Sequence, residues 1–107
     1  MTYLSRYYRI FSNIENLIKL IAICQAYKAG AFGVEEFQHK LESVYLPDEC
    51  KYTLEKIQHN AFNHLEKIFY FYPEEEHKQH ADKVADELIQ ATILEQKRLK
   101  EYSPYQK

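Results

Sequence analysis

The sequence predicts an all-α fold: a single-domain bundle of about four helices, of which the last two form a long antiparallel hairpin. The 107 residues, enough for one core, include only two glycines and three prolines, which favours a few long helices over a turn-rich β fold. Apolar residues recur three and four positions apart over most of the chain. Between two such stretches lies IFYFYPEEE, residues 68–76, which indicates the tip of a helical hairpin.

The first eleven residues mix tyrosines with Arg6 and Arg9. They fit either an ordered N-terminal arm or a first helical turn. Ser12 and Glu15 then match a capping box, in which two side chains satisfy the free backbone N–H groups of a helix start. We therefore expect a first helix from this point that stops at Gly30. Its apolar arc covers more than half of the circumference, which predicts a central position in the bundle.

A short second helix is expected from Val34 to about Tyr45. It is ended by Pro47, because the residue before a proline avoids helical geometry. Asp48 suits the N-cap of a third helix that runs to about Tyr72. The inward positions expected on this third helix are Leu54, Ile57, Ala61, Leu65, Ile68 and Tyr72.

The fourth helix is expected to begin at Pro73, since proline is favoured at the first helical position. Residues 74–76 are glutamates, which suit the positive end of the helix dipole. Ser103 and Pro104 should end the helix and leave residues 103–107 as a frayed tail. The expected inner face consists of Ala81, Val84, Ala85, Leu88, Ala91 and Thr92.

The charge pattern argues against a nucleic-acid surface. The net charge is −2, and the acidic segments 35–49 and 73–95 lie between basic ends, whereas a nucleic-acid site needs a concentrated basic stripe. No secretory leader pattern begins the chain, and the longest apolar run, Leu20–Cys24, is far shorter than a membrane span. Two cysteines are too few for a disulfide framework. A cytoplasmic protein without membrane or nucleic-acid partners is expected.

Catalytic and metal-binding patterns are incomplete. Glu74 and His77 form an E-x-x-H motif and His80 shares the helix face, but a di-iron bundle needs two such motifs, so a surface histidine cluster is expected. Cys24 lies in an apolar run, where a thiol is inert, while Cys50 lies where a helix dipole could lower its pKa. No Gly-rich phosphate loop is present. A non-enzymatic protein without a cofactor or metal is predicted.

Two stripes away from the expected core combine apolar and acidic side chains, as protein interfaces do. Tyr70 is the tip aromatic expected to stay exposed. The alternative is that the isoleucines of these stripes pack on the N-terminal arm or on the first helix. The candidate partner-binding residues are Glu66, Tyr70, Asp82, Asp86, Ile89 and Ile93.

Residues 17–41, with Ala26-Tyr27-Lys28-x-Gly30 followed by Val34-Glu35-Glu36-Phe37 and Leu41, resemble the opening helix–turn–helix of small bacterial immunity proteins of the colicin D type. That resemblance implies a helical cytoplasmic inhibitor that covers the active site of a cognate toxin, commonly a basic nuclease. The family's acidic interface residues have no one-for-one match here. The leading hypothesis is therefore an immunity or antitoxin-type protein with a basic toxin domain as its partner. The alternative is a structural or assembly module that forms homodimers or docks in a larger complex.

Overall fold

The fold is all-α, as the sequence predicts. The computed structural model describes the backbone of residues 2–101 and the side chains of residues 14–100, and it contains no strand within that range. A short 3-10 turn at Asp48–Cys50 lies between the second and third helices. The α-helices are α1 (Thr2–Lys28), α2 (Val34–Glu42), α3 (Leu54–Phe71) and α4 (Glu74–Glu101). None of these described helices combines the length and apolar character needed to cross a membrane.

Helix α4 packs against α1 on one side and α3 on the other, and both neighbours run antiparallel to it. Lys28, at the end of α1, pairs with Asp86 in the first half of α4. Thr53, just before α3, donates a 2.5 Å hydrogen bond to Glu95 in the second half of α4. Helix α2 rests on α1 and α3. The predicted α3–α4 hairpin is confirmed, but α4 takes the central place expected for the first helix.

Small residues on α4 explain its central position. Ala81 and Ala85 are fully buried, and their short side chains let two helices approach the same stretch of α4 closely. On α1, by contrast, the wide apolar arc is not fully used, since Ile18 remains 53% exposed. The fully buried side chains that fill the core include Leu17, Leu20, Cys24, Phe37, Leu41, Leu54, Leu65, Ile68, Leu88 and Thr92.

Two side chains expected in the core lie at its edge. Ile57 is 41% exposed and Tyr72 is 42% exposed. Tyr72 follows the last residue of α3 in extended conformation, with φ −115° and ψ 149°, so its side chain leaves the helical stripe. Its ring lies instead 4.0 Å from the ring of His80, centroid to centroid. Among the expected inner residues of α4, Ala91 alone is only partly buried.

The helix boundaries differ from the expected ones at four places, of which the smallest is the start of α4 at Glu74, one residue after the expected Pro73. Helix α1 begins at Thr2, so the backbone of the expected arm is helical and the helix runs straight through Ser12. A capping box stabilises a helix start only where the first N–H groups are free, and here the preceding turn supplies their partners. Helix α2 ends at Glu42, and Asp48 opens the 3-10 turn instead of capping α3. The tail 103–107 and the side chains of Arg6 and Arg9 lie outside the described residues.

The stop after α1 is confirmed. Gly30 has φ +88°, a conformation that glycine adopts without the steric cost a Cβ imposes. Its N–H donates to the carbonyl of Tyr27 at 2.9 Å, and the N–H of Ala31 donates to the carbonyl of Ala26 at 3.0 Å. The chain therefore turns sharply here and delivers Phe32 and the start of α2 to the same end of the bundle as the α3–α4 tip.

Candidate protein-binding site

The predicted partner-binding residues lie on two different sides of the bundle. Glu66 and Tyr70 are exposed on α3, one and two turns after Phe62, whose carbonyl accepts a hydrogen bond from Gln38 of α2 at 3.2 Å. Asp86 lies on the opposite side, where α4 meets α1. The two stripes therefore do not join into one continuous surface along the helices.

The α4 stripe is largely engaged within the molecule. Asp86 forms an ion pair with Lys28, and Asp82, itself partly buried, pairs with a lysine one turn earlier on α4. Ile89 is partly buried and packs against the core, and Ile93 is also partly buried. The two aspartates of this stripe thus contribute to the α1–α4 contact, and Ile89 contributes to the core.

The aromatic tip, which we define as Phe69–Tyr72, is the most exposed apolar feature near the bundle end. Tyr70 is 73% exposed, which confirms that it stays available, but Phe71 is 79% exposed and so is more exposed than the residue singled out from the sequence. The ring of Tyr70 meets that of Phe69 edge-on, with centroids 5.1 Å apart. Four consecutive aromatic side chains present a surface that soluble domains seldom leave uncovered without a use for it.

A groove of about 770 Å³ separates the aromatic tip from the α1–α2 turn. We call it the end groove. Its floor is formed by Tyr27 and Phe32, and its far wall is formed by Phe69 and Tyr72. Carboxylates stand on both rims: Glu35 and Glu36 at the start of α2, and Glu74 at the start of α4.

The floor of the groove is rigid. The ring of Tyr27 stacks on that of Phe37 with centroids 4.5 Å apart and an interplanar angle of 11°. Phe32 lies 6.2 Å from Tyr27 by the same measure. Burial, reinforced by the charge of Asp82, raises the pKa of Tyr27 to about 12. The tyrosine is therefore a neutral, packed ring at any physiological pH.

Lys78 fastens α4 to the end of α1 beneath the groove. Its Nζ donates to the carbonyl oxygens of Lys28 at 2.9 Å and Tyr27 at 3.3 Å, and to Asp82 at 3.0 Å. The same ammonium lies 4.9 Å from the centroid of the Tyr27 ring. A cation at the C-terminus of a helix satisfies carbonyl groups that have no helical partner. Lys78 therefore has a structural role.

The rim carboxylates differ in their pairing. Glu36 lies 3.6 Å from Nζ of Lys40, whose ammonium also sits 5.3 Å from the centroid of the Phe32 ring. Glu35 and Glu74 are both exposed, and the described side chains include no ion-pair partner for either of them. Both rims therefore carry a carboxylate whose described counter-charge is limited to the positive end of the helix dipole.

The histidines predicted as a surface cluster brace the aromatic tip. Nε2 of His77 lies 2.8 Å from the carbonyl oxygen of Tyr72, and the His77 ring lies 5.7 Å from that of Phe69. His80 lies against Tyr72, and its Nε2 is 3.6 Å from Glu76. Within residues 14–100, no three His, Cys, Asp or Glu side chains are grouped as a metal ion would require.

The two cysteines are buried free thiols. Burial raises the pKa of Cys50 to about 12, and its hydrogen bond to Glu95 acts in the same direction. The idea that a helix dipole lowers this pKa is therefore wrong. Burial and the charge of Asp86 likewise raise the pKa of Cys24 to about 12. Neither thiol is prepared for nucleophilic chemistry.

Glu95 is the one carboxylate among the described groups whose pKa is strongly shifted. Its contacts hold the fold together. It accepts hydrogen bonds from Arg98 at 2.7 and 2.9 Å and from Thr53 at 2.5 Å. Arg98 also donates to the carbonyl of Glu49 at 2.8 Å. These contacts, with Arg98 foremost, lower the pKa of Glu95 to about 2. The group ties α4 to the 3-10 turn.

Sequence reasoning identified the tip but not the groove. The groove exists because the turn at residues 29–33 is brought against residues 69–78, about forty positions further along the chain. Its one local signal was the presence of two acidic first turns close to aromatic residues. Glu35 and Glu36 precede Phe37, and residues 74–76 follow Tyr72 and Pro73.

Compared with protein-family models, with curated proteins and with solved structures, the chain matches none of them.

Proposed function

We propose that this chain is a non-enzymatic protein-binding domain of the immunity or antitoxin type, which inhibits a cognate toxin by covering its active site. The observation that carries the proposal is the exposed aromatic tip beside unpaired glutamates. Tyrosine and phenylalanine anchors within a charged rim are typical of the residues that dominate binding energy at protein interfaces.

The tip is well suited to act as a rigid anchor. Only Tyr72 and Pro73 connect α3 to α4, and His77 and His80 hold Tyr72 from the α4 side. An anchor that is already ordered loses little conformational freedom when a partner binds, so more of the contact energy appears as affinity.

The charges favour a basic partner. Residues 74–76 are three consecutive glutamates, and the first of them, Glu74, lines the end groove together with Glu35. Complementary charge speeds the encounter of two proteins and makes their association sensitive to salt. We expect the association rate to fall as salt is raised from about 20 to 200 mM, because exposed charges are screened over about 10 Å near 0.1 M.

The test first asks whether a gene that encodes a toxin lies next to this one, and then uses its product as the binding partner. Isothermal titration calorimetry should show binding, and the toxin's activity should be inhibited at a one-to-one ratio. The double substitution Tyr70→Ala and Phe71→Ala should weaken binding at least about tenfold, since buried aromatic anchors contribute more than about 1.4 kcal/mol. Tyr52→Ala is a control for loss of an exposed tyrosine, because Tyr52 is 84% exposed just before the start of α3, far from the tip.

Two results would refute this proposal. One is a neighbouring toxin that is neither bound nor inhibited by the protein. The other is binding that the double substitution at the tip leaves unchanged.

A structural or assembly module is the second candidate, favoured by apolar groups along the α1–α4 contact. Ile18 is 53% exposed, and Ile21 and Ile93 are only partly buried. Sedimentation equilibrium tests this candidate. A homodimer that the substitution Ile18→Glu dissociates would support it, and a monomer at all accessible concentrations would exclude homodimerisation through this face.

A further inference from the structure

We infer that the end groove is a binding subsite for an arginine side chain carried by the basic partner protein. This inference rests on the proposed function and deepens it, since it names the group that the groove receives. It starts from the groove between the aromatic tip and the α1–α2 turn, which is open at the end of the bundle where the tip is exposed.

The walls of the groove suit a flat cation. Phe69 and Tyr72 are 37% and 42% exposed in the wall, and Phe32 is partly buried in the floor. A guanidinium group is planar and weakly hydrated, so it stacks on aromatic faces more readily than a compact ammonium does. The groove therefore offers apolar contact along the methylene stem and ring faces to the charged head.

The chain itself shows that the floor of this groove attracts cations. Lys78 lies over Tyr27 and Lys40 lies over Phe32, at 4.9 and 5.3 Å from the ring centroids. Each of these lysines is committed to partners within the chain. Phe69 and Tyr72 contact His77 and His80 and carry no such lysine among the described side chains. Their remaining exposed surface is therefore open to a cation from the partner.

The rim supplies the complementary charge. Glu35 and Glu74 stand on opposite rims of the groove and have no ion-pair partner within residues 14–100. A guanidinium can donate two parallel hydrogen bonds to one carboxylate and further ones to a second. A lysine ammonium lacks this fork. Shape and charge together therefore favour arginine as the occupant.

The experiment is a titration of the ¹⁵N-labelled protein with the blocked tripeptide acetyl-Gly-Arg-Gly-amide at low salt, followed by two-dimensional NMR. Matched peptides contain lysine or the uncharged arginine isostere citrulline. We expect saturable shifts concentrated in residues 31–36 and 69–78, with the arginine peptide binding more tightly than the lysine peptide and the citrulline peptide not binding. Glu35→Gln combined with Glu74→Gln should weaken the arginine peptide at least about fivefold. Glu55→Gln combined with Glu87→Gln is the control of equal charge change, since both carboxylates are exposed outside the groove.

Shifts spread evenly over the acidic surface would overturn the inference, as would equal weakening by the two double variants. Equal binding of the arginine and citrulline peptides would do the same. The spectra of each variant report whether it is folded, so that a loss of binding is not confused with a loss of structure.

The same variants separate this inference from the proposed function. If the toxin binds the wild type and the Glu35→Gln, Glu74→Gln variant equally well, the protein-binding function stands and the arginine subsite is wrong. If the arginine peptide binds in the groove while the toxin does not bind at all, the subsite stands and the proposed function is wrong.

Discussion

Replacing Glu95 by glutamine should destabilise the protein by an amount that depends on pH. Glu95 is 6% exposed and accepts hydrogen bonds from Arg98, Thr53 and the Cys50 thiol, which lower its pKa from 4.5 to about 2. The difference between these values, at about 1.4 kcal/mol for each pH unit, corresponds to about 3 kcal/mol at pH 7. Glutamine keeps the shape and loses the charge, so we expect a cost of about 2 to 3 kcal/mol.

The sign of the pH dependence follows from the lowered pKa. The folded protein holds the carboxylate ionised more strongly than the unfolded chain does. Its contribution is therefore complete above pH 4.5 and is lost as the pH falls towards about 2. By about pH 3, roughly 2 kcal/mol of the difference between wild type and Glu95→Gln should have disappeared.

Urea denaturation followed by circular dichroism at pH 7, 5 and 3 measures this difference directly. Glu87→Gln is the control, because Glu87 is an exposed carboxylate of the same helix, and its cost should stay within about 0.5 kcal/mol at each pH. A cost for Glu95→Gln that is the same at pH 7 and pH 3 would refute the reasoning, because the charge would then contribute nothing to the stability of the α4 anchor.

Three further predictions concern the turn, the α1 cap and the buried thiol. Gly30→Ala should cost about 1 kcal/mol in thermal unfolding because of the positive φ of Gly30, although the space around it is open. The control is Gly33→Ala, in equally open space at negative φ, whose cost should stay within about 0.5 kcal/mol. Equal costs for the two variants would contradict the argument from φ. Lys78→Met should lower the free energy of unfolding by about 1 kcal/mol, because two α1 carbonyls lose their donor; this figure is already reduced for the half-exposed side chain. Lys83→Met, on the exposed face of α4, is the control. An equally large cost for Lys83→Met would show that the α1 contact is not the cause. Cys50, with its pKa raised to about 12, should react with Ellman's reagent at pH 8 only after guanidinium unfolds the protein. Fast labelling of the native protein would contradict this prediction, because it would show that the thiol is accessible.

The sequence was sufficient for the helical class and for the hairpin because those features depend on local chemistry. Gly30 ends α1 at a positive φ, and Pro73 lies one residue before the start of α4, so the backbone preferences of these two residues locate both boundaries to within a residue or two. The inner face of α4 was also correctly predicted, since a helical stripe depends on spacing alone.

Features that depend on neighbouring structure were not predictable in the same way. The Ser12–Glu15 pattern is a genuine capping box in composition, but the preceding residues continue the helix and leave it nothing to cap. The sequence spacing of Tyr72 is that of a core residue. Tyr72 nevertheless lies outside the core, because the helix ends one residue before it. The end groove needs a contact between distant segments, which no local pattern encodes.

The two-residue connection between α3 and α4 has a consequence for how the chain folds. Contacts near the hairpin tip join residues such as Tyr72 and His80, which are eight positions apart, whereas the Lys28–Asp86 pair closes a separation of 58 residues. Short loops close at a smaller entropic cost than long ones, so the hairpin can form before α1 docks. Substitutions at the tip should then slow folding, while substitutions along the α1–α4 contact should mainly speed unfolding. The surface assigned to partner recognition would in that case be among the first parts of the molecule to take shape.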